Sequence, residues 1–139
     1  MATLGYNGII NAGTFIVDAT TATAIGTDLA GEANKAYAIS DDGKVGYGSS
    51  GDAVFGIVQV VEKESANSTT LLASLKLTGM VEAVTTTTSA GDIPVAGRKV
   101  SVDGAGGLIV TSTTATADTV GTARAFSVDS TNHLAVILL

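Results

Sequence analysis

Few side chains in this sequence could carry out covalent chemistry or bind a transition metal. There is one histidine, His133, and there is no cysteine or tryptophan. A catalytic histidine needs a nucleophile and an orienting group beside it, and the sequence has no Gly-x-Ser-x-Gly motif to supply them. His133 follows Asn132 and precedes an apolar segment. We therefore predict that His133 is a solvent-exposed turn residue and that the protein is not an enzyme.

Six aspartates could supply oxygen ligands for Ca²⁺ or an acid pair for glycoside hydrolysis. Most of them neighbour Gly or Ser, where a short acidic side chain accepts hydrogen bonds from the backbone of a turn. Neither the ligand spacing of a calcium loop nor a set of aromatic side chains for sugar stacking accompanies them. We predict turn residues, and no metal or cofactor site, at Asp41, Asp42, Asp52, Asp92, Asp103 and Asp129.

Residues 103–107 read Asp-Gly-Ala-Gly-Gly, which superficially suggests a phosphate-binding loop. The Walker pattern would end in Gly-Lys-Ser or Gly-Lys-Thr, and the dinucleotide fingerprint would lead into a helix. Neither follows here. We predict a turn without a cofactor.

The elements that must position these residues are short strands. Helix signals are weak, with at most one turn over residues 28–35, because β-branched residues such as Thr disfavour helix. Asp-Gly pairs at 42–43 and 103–104 predict two hairpins, the first through a type I′ turn. Further strands are predicted over residues 15–17, 53–61, 71–84, 119–128 and 134–139.

This pattern predicts an all-β fold, a small β-sandwich or β-barrel with short strands. Residues 20–27 are uncharged and rich in Thr and Ala, which predicts a flexible link. We divide the chain into residues 1–27, an extended N-terminal arm or a first strand followed by that link, and residues 28–139, a single all-β domain.

Charge and composition limit the partners. The net charge is −6, and the seven basic residues are scattered, which argues against nucleic acid binding. The first eight residues lack the basic and apolar regions of a signal peptide, and no apolar run is long enough to span a bilayer. Together with the absence of cysteine, these features predict a soluble, non-secreted protein made in the cytoplasm, with no membrane partner.

Residues 89–104 read Ser-Ala-Gly-Asp-Ile-Pro-Val-Ala-Gly-Arg-Lys-Val-Ser-Val-Asp-Gly. This run resembles the pattern Ala-Gly-Asp-x-Val, Gly-x-x-Val, Asp-Gly of the capsid cement, or decoration, proteins of tailed bacteriophages. The resemblance continues through residues 120–125 and the apolar residues 134–139. It is looser over residues 42–45 and 55–58, and in all it spans about residues 30–139.

The resemblance implies a small, β-tulip-like or barrel domain on the outer surface of the virion capsid, made in the host cytoplasm. Such proteins bind the major capsid protein after shell expansion and clamp neighbouring subunits, without catalysis. A homo-oligomer is implied, with a trimer as the expected state. Since an N-terminal strand could add to a sheet edge of a partner, the candidate contacts with the capsid or a neighbouring subunit are Thr14, Phe15, Ile16 and Val17.

Two alternatives remain open. The chain could be another virion component, such as a tail or fibre module, or a surface-array β-protein. A trimeric all-β nucleotide pyrophosphatase resembling dUTPase is a further class, but its Ala-Gly-Tyr-Asp-Leu and Arg-Ser-Gly motifs are absent from the sequence.

Overall fold

A closed barrel of five strands forms one layer of the protein, and a three-stranded sheet with a two-stranded hairpin forms a second, outer layer. The computed structural model describes residues 11–86, 93–111 and 121–139. The strands are β1 (Ala12–Val17), β2 (Ala36–Asp41), β3 (Lys44–Gly46), β4 (Gly56–Lys63), β5 (Leu71–Lys76), β6 (Met80–Val84), β7 (Val100–Val102), β8 (Ile109–Thr111), β9 (Arg124–Asp129) and β10 (Leu134–Leu138). The predicted all-β class, with a small barrel, is confirmed.

The barrel closes in the order β1-β3-β2-β4-β5 because β1 also pairs antiparallel with β5. Its interior follows the two-residue period of a strand: in β5 buried and half-buried residues alternate along the whole length. Large side chains fill it, among them Tyr37, Val58 and Leu75. At one end the rings of Phe15 and Phe55 meet edge to face, with centroids 5.2 Å apart.

The outer layer comprises the sheet β6-β10-β9 and the hairpin β7-β8. Its inward side chains pack against the outer wall of the barrel at β2 and β4, and this second core is rich in alanine. Small side chains on both surfaces allow the two layers to approach closely. Backbone hydrogen bonds also join the layers, since Asn34 donates to Val58 and accepts from Val84. Asn34 has a positive φ of 67°, which asparagine tolerates better than most residues.

The prediction of a flexible link at residues 20–27 is wrong. Most of it lies in a helix, α1 (Ala19–Ile25), which packs on the barrel through the buried Thr21 and Ile25. Asp18 caps the helix by accepting a hydrogen bond from the Thr21 backbone N–H, and Gly26 ends it at a φ of 62°. Capping and burial together outweigh the weak helix propensity of threonine.

The N-terminal segment is described only from residue 11 onward, and residues 12–17 are the first strand of the barrel. Of the two alternatives, an extended arm or a first strand, the structure shows a first strand at these residues. The predicted arm at residues 1–10 lies outside the described residues. The single helical turn expected within residues 28–35 is present as a 3₁₀ turn, Ala30–Glu32.

Both predicted hairpins are present, as β2-β3 and β7-β8. The type I′ turn is a wrong prediction, because Gly43 has positive φ but Asp42 does not, and the pairing register shifts just before the turn. The single strand predicted over residues 71–84 is also wrong. It breaks at Gly79, whose φ of 89° turns the chain from the barrel strand β5 into the outer strand β6.

The strand predicted over residues 119–128 begins later, because Gly121 precedes β9 and has a φ of 77°. Residues 119 and 120 lie outside the described part of the chain. The final strand predicted over residues 134–139 is confirmed as β10, apart from its last residue.

Candidate interaction surface

The four predicted contact residues lie on two different sides of β1. Thr14 and Ile16 point outward and are exposed, while Phe15 and Val17 point into the barrel, where Val17 is 4% exposed. Both edges of the strand are also in use, since β1 pairs with β5 along Ala12–Ile16 and with β3 at Ile16 and Val17. Contact through the buried Val17, or addition of a partner strand at the β5 edge of β1, would require the barrel to open, whereas the β3 edge is paired only at Ile16 and Val17. Val17 is thus the least accessible of the four and Phe15 is half-buried, and a partner contact at Thr14, Phe15, Ile16 and Val17 stays a prediction.

A larger apolar surface lies on the outward side of the sheet β6-β10-β9, which we call the outer face. Ala83, Ala135 and Ile137 point inward to the second core, so that the alternate residues of β6 and β10 face solvent. Pairing sets Leu138 beside Met80 and Leu134 beside Val84. Met80 is 46% exposed and Leu138 is 47% exposed. A contiguous exposed apolar surface of this kind is typical of a binding site.

An irregularity in β9 adds an aromatic side chain to the outer face. The pairing of β9 with β10 skips one residue, because Val136 pairs with Ser127 whereas Ile137 pairs with Ala125. Phe126 is the extra residue, and it is 65% exposed. Bulges of this kind redirect a side chain. Here the result is an exposed phenylalanine at the edge of the apolar surface.

Two carboxylates border the apolar centre of the outer face. Glu82 on β6 pairs with Val136 on β10, and Asp129 on β9 pairs with Leu134 on β10. Between them is a shallow depression of about 110 Å³, lined by Glu82, Ser127, Asp129, Leu134, Ala135 and Val136. Its floor is apolar and its walls carry the two acids.

The carboxylate of Asp129 is fixed by the turn that joins β9 to β10. It accepts hydrogen bonds from the backbone of Thr131 and Asn132, and from the Asn132 side-chain amide at 2.7 Å. The Asn132 hydrogen bonds lower the pKa of Asp129, so the group stays ionised at neutral pH.

His133 lies in the same turn, exposed, with a φ of 57°. The prediction of a solvent-exposed turn histidine is confirmed. The loop at residues 103–107 is likewise a turn, in which Asp103 Oδ1 accepts hydrogen bonds from the backbone of Ala105, Gly106 and Leu108. Within the described ranges, no group of three or more acidic or histidine side chains is placed to hold a metal ion.

The barrel contains a buried charged cluster that was not expected from the sequence. Glu32 is almost fully buried, and it accepts hydrogen bonds from the hydroxyls of Tyr37 at 2.7 Å and Tyr47 at 2.9 Å. Lys35 Nζ lies 2.8 Å from the same carboxylate. Burial, followed by the neighbouring Glu32 carboxylate, raises the pKa of both tyrosines. Because every oxygen of this cluster is engaged, it stabilises the barrel and presents no free reactive group.

A cleft of about 430 Å³ lies beside α1, and its most buried acid is Asp18. Although burial favours the protonated form, hydrogen bonds from Ser40 and Thr21 lower the pKa of Asp18. A side chain at Gly46 would collide with this carboxylate, so glycine is required there. Asp18 thus anchors α1 to the barrel with its acceptor atoms already occupied.

No family model, curated protein or solved structure matches this chain. Among the described residues, no helix has the length and apolar character needed to cross a bilayer. The assignment of the outer face as the candidate site therefore depends on its geometry alone. One sequence signal pointed to it: Met80 is the apolar residue that interrupts the polar side of the alternation over residues 71–84.

Proposed function

We propose that this chain is a structural protein of a tailed-bacteriophage virion, which binds the outside of the expanded capsid and stabilises the shell. The observation that carries the proposal is the outer face, an exposed apolar surface on a small acidic domain. A side chain such as Phe126, exposed in the free protein, is stabilised when a partner buries it.

The resemblance to cement proteins falls largely on the layer that carries this face. Of the resembling residues, the described ones at 93–104 lead into and include β7, those at 121–125 lead into β9, and the final apolar segment is β10. The looser resemblance, at residues 42–45 and 55–58, falls in the barrel. In this proposal the barrel is the rigid support and the outer layer makes the contact.

The mechanism is linkage between binding and shell stability. A protein that binds only the expanded shell lowers the free energy of that state by RT ln(1 + [L]/Kd) at each site. The effect multiplies over the many equivalent sites of a capsid, so each contact can be modest. The net charge of −6 keeps a densely displayed protein soluble and repels packaged nucleic acid.

The test uses purified expanded capsids that lack this protein, from the phage that encodes it. We expect saturable binding and a higher temperature of capsid rupture. Phe126→Ser should weaken binding on the order of 30-fold, as expected for an exposed aromatic residue that the partner buries. Ile39→Ser is the matched control, since Ile39 is similarly exposed, at 62%, but lies on the barrel strand β2.

Absence of binding by the unmodified protein would contradict the proposal. Microscopy of labelled virions separates the alternatives, because a tail or fibre location would favour the other virion class over a capsid protein. Sedimentation of the free protein measures the oligomeric state, for which we expect a trimer.

A further inference from the structure

The depression in the outer face has a specific chemistry. Val136 and Leu134 form its floor, with Glu82 on one side and Asp129 on the other. We propose that this depression receives the side chain of a lysine or arginine presented by the capsid subunit. The inference rests on the proposed function and names the chemistry of the partner.

Lysine and arginine fit both parts of the depression. Their aliphatic stems pack on apolar surface while the charged head stays among polar groups. Here the stem would lie along Val136 and Leu134, and the head would lie between the carboxylates of Glu82 and Asp129. A neutral or acidic residue at this point would leave Glu82 desolvated without a partner, or repelled.

The turn donates hydrogen bonds to both carboxylate oxygens of Asp129, but the depression lacks a paired Lys or Arg among the described residues. Within the part of the chain that the structure describes, neither Glu82 nor Asp129 forms a salt bridge. Arg124, the basic residue on β9, donates a hydrogen bond to the carbonyl of Gly97. A cation that pairs with Glu82 would therefore come from the partner that covers the apolar face.

The first arm of the experiment measures capsid binding of Glu82→Gln. We expect affinity to fall on the order of 30-fold, because truncating one partner of a desolvated charge pair is costly. Glu62→Gln is the matched control, an exposed glutamate on the barrel strand β4 whose loss should leave affinity unchanged. Wild-type binding should also weaken as salt is raised, and the salt dependence should be smaller in Glu82→Gln.

The second arm needs no capsid. Backbone NMR spectra are recorded while the protein is titrated with N-acetyl-lysine amide, and separately with the uncharged norleucine analogue. We expect shifts at the amides of β6, β9 and β10 with the lysine compound alone, and their loss in Glu82→Gln. Unchanged folding of the variant is checked by its unfolding transition.

The two arms separate the outcomes. If capsids bind and Glu82→Gln binds as wild type, the proposed function survives and this inference is overturned. If no capsid binds but the lysine compound shifts the outer-face amides, the chemistry of the depression stands and the capsid is rejected as the partner. If Glu82→Gln instead changes the sedimentation of the free protein, the outer face is a contact between copies of this chain, and the inference is wrong.

Discussion

The two cores of this protein bury different kinds of side chain. The barrel core contains large residues, including the paired rings of Tyr37 and Tyr47, around the ionic cluster of Glu32. The second core, between the barrel and the outer layer, contains alanines and branched aliphatics. In the proposed function the two cores have different roles: the barrel supplies stability, and the outer layer supplies the sheet β6-β10-β9, whose far side is exposed.

The largest expected effect is in the barrel cluster. Glu32→Ala leaves two buried tyrosine hydroxyls and Lys35 without their acceptor, so we expect it to lower the free energy of unfolding by about 3–5 kcal/mol. Urea denaturation measures this. Glu32→Gln, which keeps an acceptor oxygen, is the control and should lose less. Equal losses in the two variants would mean that the charge, rather than the hydrogen bonds, matters.

The next effect is expected at alkaline pH, which should destabilise the barrel core through its two buried tyrosines. The pKa of both Tyr37 and Tyr47 is raised in the folded state above the ordinary value of 10.0. Above that pH the unfolded chain releases both protons while the folded protein keeps them, so stability falls as pH rises. The expected slope is about 2.7 kcal/mol per pH unit for the two groups together.

Urea unfolding measured between pH 9 and pH 12 gives the slope directly. The double variant Tyr37→Phe, Tyr47→Phe should lose most of it. A slope that persists in the double variant would place its origin outside this cluster.

A smaller effect is expected when the second core is overfilled. Ala83 is fully buried where β6 faces the barrel wall, and Ala83→Leu should cost about 1–3 kcal/mol because the layers must separate. Hydrogen exchange should then accelerate in β6, β9 and β10 before it does in the barrel. Uniform acceleration would show that the layers unfold as one unit and do not differ in stability.

The smallest effect on stability is expected on the outer face. Phe126 is mostly exposed, so Phe126→Ser should change the free energy of unfolding by less than about 0.5 kcal/mol. The same variant is the one expected to lose capsid affinity. A loss of several kcal/mol would instead mean that the outer face is already buried in the free protein, as in a tight oligomer.

The parts of the fold that were predictable depend on local chemistry. Asp-Gly turns place the hairpins β2-β3 and β7-β8 because the turn residues act over a few positions. Helix α1 was missed because its cap, Asp18, and its buried Ile25 outweigh the local propensity of threonine. The break between β5 and β6 was missed because the alternation continues unchanged through Gly79, so no change of period marks it.

The outer face could be predicted only in part. Whether Met80, Leu138 or Phe126 is exposed depends on which side of the sheet β6-β10-β9 the barrel covers, and this is set by contacts between distant segments. The exposure of Phe126 depends further on a register shift that nothing in the local sequence marks. The buried Glu32 cluster depends on long-range packing in the same way.

The closure of the barrel has a consequence for how the chain folds during synthesis. Strand β1 is made first, yet its long antiparallel partner lies about sixty residues later, as the contact between Thr14 and Ser74 shows. On a ribosome, the last two residues of β1 can pair with β3 early, but the rest of the strand waits for its partner until β5 has emerged. We therefore expect closure to be a late and slow event, because distant strands must meet. Truncation before residue 71 should leave a nascent chain open to proteolysis at β1, which limited protease digestion of ribosome-bound chains would detect.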